Sequence, residues 1–164
     1  MKKLLIIPII ALLSACGKQD SRALYSDFYE PYMDLIGTQE RTDQNAELVD
    51  AMVHYNAGEY AEALALLQIY TKKYRNLASS YMYMGICHME MGESYKAELQ
   101  FDLLDNIVPN GFLDQSEWYS ALCLLYSEQL PRCREAMALI SKQKKHAYKH
   151  RAAELLRAMD RNGL

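Results

Sequence analysis

The side chains able to do chemistry in this chain are four histidines and four cysteines. His54 and His88 lie 34 residues apart in similar surroundings, so they occupy equivalent positions roughly 10 Å apart on neighbouring helices and do not converge on one ligand. Cys87 and His88 are adjacent; on one helix they point in different directions, which is poor geometry for a nucleophile and its base. His146 and His150 are four apart and could share a helix face. Lys144, Lys145, Lys149 and Arg151 around them would repel a cation, and no glutamate follows the first histidine as in HExxH. Neither GxSxG, a glycine-rich phosphate loop nor a paired-carboxylate motif occurs. The sequence therefore predicts no metal, no cofactor and no catalytic residue. Cys87, Cys123 and Cys133 contain no CxxC spacing. Cys123 and Cys133, ten apart across a predicted helix-turn-helix, could pair in an oxidising compartment. The other reading of all three is small buried hydrophobes.

The fourth cysteine has a different setting. Lys2 and Lys3 precede an apolar run from Leu4 to Leu13, and Leu13-Ser14-Ala15-Cys16 follows. The run is too short to span a bilayer as a helix. The arrangement resembles the lipobox of bacterial lipoproteins: Leu13 is apolar, Ser14 and Ala15 are small, and Cys16 is the acceptor. That resemblance implies cleavage after residue 15, acylation of Cys16 (palmitate among its chains) and anchoring to a membrane. Several chains on one cysteine hold a protein stably where one would not. Gly17, not aspartate, follows Cys16; by resemblance to sorting in enteric bacteria this favours the outer membrane, with the domain facing the periplasm.

Without residues 1–15 the chain keeps 149 residues, enough for one domain, with 16 basic against 21 acidic side chains. An acidic balance argues against nucleic acid as a partner. Charge is polarised: 17–60 carries nine acids and three bases, 142–164 seven bases and two acids. Most such polarity is solvated surface.

An internal repeat sets the fold. Gly58 and Gly92, Ala63 and Ala97, and Leu67 and Phe101 are each 34 residues apart. The second unit runs Tyr81, Met84, Gly85, His88, Gly92, Ala97, Phe101, Leu104, Pro109. This pattern is similar to the tetratricopeptide repeat (TPR), a helix-turn-helix unit. Gly85 and Ala97 fall where the family brings its two helices close, Gly92 in the turn, and Pro109 where the second helix ends. A third unit begins near Phe112 with Trp118, Ala121 and Leu122. There Gln129 stands in place of the turn glycine, Pro131 opens the second helix, and Ala136 arrives two residues late, so a longer or differently shaped turn is expected. Tyr148, Ala152, Leu155, Leu156 and Met159 recur at helical spacing, as a terminal capping helix requires. The expectation is an all-α, TPR-type solenoid of about three repeats with a C-terminal cap over 44–160, a tail at 161–164, a tether at 16–23 and an aromatic segment and loop at 24–43.

Phe28-Tyr29-Glu30-Pro31-Tyr32 is similar to a segment that precedes the repeats in many membrane-anchored TPR proteins. Aromatics this dense dock on the repeats, either as an N-terminal cap or as a tethered pseudo-ligand in the binding groove. Transferring the family's groove positions gives Leu48, Met52, Tyr55 and Asn56, then Met82, Ile86, Met89 and Glu90, then Tyr119, Cys123, Tyr126 and Ser127. These are mostly apolar, with Asn56 the main polar match to a carboxylate clamp, and suit an apolar helix or an aromatic segment. The resemblance thus implies a non-catalytic adaptor or assembly factor that binds a protein or peptide of the cell envelope. The alternative is a lipoprotein that binds a glycan through its tyrosines. Oligomeric state is not legible.

Overall fold

The computed structural model describes residues 19–75 and 77–164; the signal segment 1–15 and Cys16 lie outside the described residues. Among the described residues the chain is all-α: α1 (Ser21–Phe28), α2 (Ala46–Asn56), α3 (Tyr60–Lys73), α4 (Ala78–Glu90), α5 (Ser94–Asp105), α6 (Leu113–Tyr126), α7 (Leu130–Lys142) and α8 (Lys149–Asn162). From α2 to α8 each helix packs on its neighbours in sequence, as in a solenoid. Helix α1 departs from that order and packs on α6 and α8.

Three turns of one shape join α2 to α3, α4 to α5 and α6 to α7. In each, a residue in the left-handed region donates its N–H three residues back: Gly58 to Tyr55, Gly92 to Met89, Glu128 to Leu125. The next residue donates five back: Glu59 to His54, Glu93 to His88, Gln129 to Leu124. The third turn is therefore not longer or differently shaped, as the sequence led us to expect. Glu128, at φ 61°, takes the glycine position, not Gln129. The two extra residues lie upstream, in the α5–α6 connection at 106–112. With that shift the second helices align as Ala63, Ala97, Cys133 and Leu67, Phe101, Met137, all fully buried. Cys133, not Ala136, is the small residue of the third unit.

Within the pairs, small residues set the approach. A Cβ on Gly85 would lie 2.3 Å from the Phe101 ring, so α4 and α5 meet there at glycine distance. Ala51 and Ala121, also fully buried, hold the equivalent positions. Helix α8 closes the stack with Ala152, Leu155, Ala158 and Met159 buried. It ends where Gly163 turns left-handed and Leu164 N–H reaches the Met159 carbonyl at 3.0 Å.

At the other end, the Asp20 carboxylate accepts the Ala23 N–H at 2.8 Å and caps α1. The helix thus begins three residues inside the stretch read as tether. Pro31 offers no N–H and disfavours helix in the residue before it, so the chain leaves α1 at Tyr29 in an extended conformation.

Candidate functional site

Residues Tyr29–Ile36 form a strap without regular secondary structure across the face made by α2, α4, α6 and α8. Side chains of α2, α4 and α6 grip it by its main chain, and α8 holds the last residue of α1 just before it. Arg151 of α8 donates to the Phe28 carbonyl at 2.9 Å. Tyr119 of α6 donates to the Glu30 carbonyl at 2.8 Å, and Tyr55 of α2 to the Tyr32 carbonyl at 2.5 Å. Tyr83 of α4 donates to the Met33 carbonyl at 3.0 Å and accepts the Leu35 N–H at 2.9 Å. Its main-chain contacts pass from α6 at its start to α2 and α4 further along.

Side chains supply the second layer of contact. Tyr29 stacks on Tyr25 of α1 (centroids 4.9 Å apart) and meets Tyr119 edge-on at 6.1 Å. Tyr32 lies among Tyr83, Phe112 and Tyr119 at 6.0–6.4 Å. Asn56 donates to Asp34 at 2.8 Å, and the other Asp34 oxygen accepts the N–H of Ile36 and Gly37. That turn holds Gly37 so close to the Asp34 carboxylate and Met52 that a Cβ would collide with the former. The outer edge is bare: Met33 is 69% and Leu35 52% exposed.

Burial pushes the hydroxyls of Tyr55 and Tyr119 far above the ordinary phenol value and that of Tyr83 up to about 12. All three are neutral donors at any physiological pH. The Tyr29 hydroxyl is also driven up by burial, with the Glu90 carboxylate next in effect. It makes no hydrogen bond of acceptable geometry.

Of the residues assigned to the groove from sequence, Tyr55, Asn56 and Tyr119 touch the strap directly. Glu90 lies against Tyr29. Tyr126 meets Tyr25 of α1 at 4.9 Å and carries Arg22 over its ring at 3.8 Å. Cys123 is close to Tyr25. Met52 approaches Gly37 where the strap ends. Leu48, Met82, Ile86 and Met89 are buried in the helical core, while Ser127 bonds its own helix at the Cys123 carbonyl. Sequence reasoning missed Tyr83 and Arg151. Tyr83 sits one position past Met82, in register with Val49 and Tyr119, and Val49 is too short to have drawn notice. Arg151 figured only as a charge beside His150.

The cysteines and histidines lie outside this face. Cys87, Cys123 and Cys133 are free and buried, so Cys123 and Cys133 are not paired. Burial pushes the thiols of Cys87 and Cys133 up to about 12 and that of Cys123 upward as well. His54 and His88 each bond the glutamate five residues on, Glu59 at 2.6 Å and Glu93 at 2.7 Å, fastening the first and second turns. A histidine followed by glutamate at that spacing in both units was the available signal. His146 precedes α8, buried beside Glu117 at 3.2 Å, and does not share a helix face with the exposed His150. Among the described residues no three His, Cys, Asp or Glu side chains are arranged to hold a metal, and no helix is long and apolar enough to cross a membrane.

Comparison with protein-family models, curated protein sequences and solved structures found no match.

Proposed function

We propose that this chain is a membrane-anchored lipoprotein whose TPR-type helical array binds a protein or peptide of the bacterial cell envelope as a non-catalytic adaptor or assembly factor. One observation carries the reading: tyrosines of α2, α4 and α6 donate hydrogen bonds to the main chain of one extended segment, and Arg151 of α8 donates to the carbonyl just before it. A surface that grips eight residues of its own chain in this way has the chemistry of a peptide receptor, in which main-chain bonds give affinity and pockets give selectivity. Acylation of Cys16, an outer-membrane location and a periplasmic face complete the proposal, and rest on the lipobox-like sequence and Gly17. The glycan alternative has less support, because Trp118 is 1% exposed and the rings of Tyr83 and Tyr119 are covered.

The test is photocrosslinking in intact membranes, with the reactive residue at Asn56, at Met33 and at Leu35 on the open rim of the strap. One envelope protein captured recurrently supports the adaptor reading. Adducts confined to the chain itself at all three positions overturn it. Labelling with a palmitate analogue should mark the wild type and be abolished by Cys16→Ser.

A further inference from the structure

We propose that the strap is a replaceable occupant of the α2–α4–α6–α8 face, and that the partner this face accepts is an extended peptide with two aromatic side chains three residues apart. This rests on the adaptor reading and names its ligand class.

The donors identify what is read. Tyr55, Tyr83, Tyr119 and Arg151 address carbonyls, which every peptide carries, so this part of the recognition is blind to sequence. Selectivity comes from two aromatic pockets: Tyr25, Tyr119 and Glu90 around Tyr29, and Tyr83, Phe112 and Tyr119 around Tyr32. A third, smaller preference is an acidic group opposite Asn56, where Asp34 now sits. A cavity of about 200 Å³ beside Pro31, lined by Trp118, Tyr148 and Arg151, leaves room for a larger residue between the two aromatics.

Replaceability follows from how the strap is held. Its outer edge is open to solvent, so an incoming chain can compete without moving a helix. The helices also pack on one another through fully buried residues such as Leu67, Phe101, Leu122 and Met137. The strap is also an imperfect fit. The buried Tyr29 hydroxyl faces the Glu90 carboxylate without a well-formed hydrogen bond, and a partner with phenylalanine there avoids burying that hydroxyl.

The probe is a fluorescent synthetic peptide of residues 27–36, with its Tyr29→Phe form and a scrambled control. In the wild-type full chain the tethered strap competes at an effective concentration in the millimolar range. Weak capture is therefore expected, and the Tyr29→Ser/Tyr32→Ser variant should bind the probe at least about tenfold more tightly. Adding Tyr119→Phe to that variant should reverse about fivefold of the gain, the loss of one neutral hydrogen bond. The Tyr29→Phe probe should bind more tightly than the native sequence.

A second measurement needs no variant. Millimolar peptide added to the wild-type chain should speed amide exchange of residues 29–36, the Leu35 amide included, while α2–α8 keep their protection. Unchanged strap exchange at saturating peptide, or equal capture of the scrambled peptide, overturns the proposal. So does a strap variant that loses its cooperative fold, which would make the strap a structural cap. A recurrent crosslinked partner without peptide exchange would overturn this proposal and leave the adaptor reading standing, with the partner docked on the outer edge of a fixed strap. Exchange without any envelope partner would leave the peptide receptor standing and remove the adaptor.

Discussion

Tyr83 shows how much one hydroxyl can do. It both donates and accepts on the strap, and its burial raises it to about 12. A raised folded-state value means that the neutral form is preferred in the fold. Its contribution is complete below pH 10, the ordinary phenol value, and is lost as pH climbs towards 12. Urea midpoints should therefore fall between pH 10 and 12, with a shallower decline in Tyr83→Phe. Tyr55 and Tyr119 shift the same way and keep part of the slope in that variant. At Gly85 the limit is space: Gly85→Ala drives a methyl into the Phe101 ring, and we expect a loss of about 1–3 kcal/mol in urea unfolding. The groove residues were legible in part because the repeat period predicts which helix face a side chain shares. That period does not tell an inward methionine such as Met82 from the tyrosine beside it. A few tens of degrees of helix rotation decide which one meets the strap, and those are set by packing, not by spacing.

At the scale of the element, the three turns teach the clearest lesson. Gly58 and Gly92 announce the first two because glycine takes left-handed backbone freely. Glu128 adopts the same conformation at φ 61° without the glycine that would mark it, so the third turn was misplaced by one residue. Glu128→Gly should relieve that strain and raise stability by about 0.5–1 kcal/mol, visible as a higher urea midpoint with unchanged slope. The helices themselves were readable from apolar spacing and from caps such as Pro131. The strap was readable only as an aromatic cluster ended by Pro31. Its path depends on donors from four helices distant in sequence, which no local pattern encodes.

The C-terminal end of the helical array is held by the beginning of the described chain. Helix α1 packs on α6 and α8, the Gln19 N–H donates to Asn162 at 2.8 Å, and Arg151 ties α8 to Phe28. Arg151→Met keeps the aliphatic bulk but removes the donor. Exchange protection should fall in residues 24–32 while the α2–α5 amides keep theirs, and the local stability of that half of the strap should drop by about 1–3 kcal/mol.

That closure fixes an order of events. The strap precedes α2–α7 along the chain, yet α8, which supplies Arg151, follows them. Helices α2 to α7 can pair with their neighbours as they emerge, because their contacts are local. The aromatic strap has no complete seat until α8 is made. Until then Phe28, Tyr29 and Tyr32 stay uncovered, and the same residues that finish the fold are those left open to a chaperone.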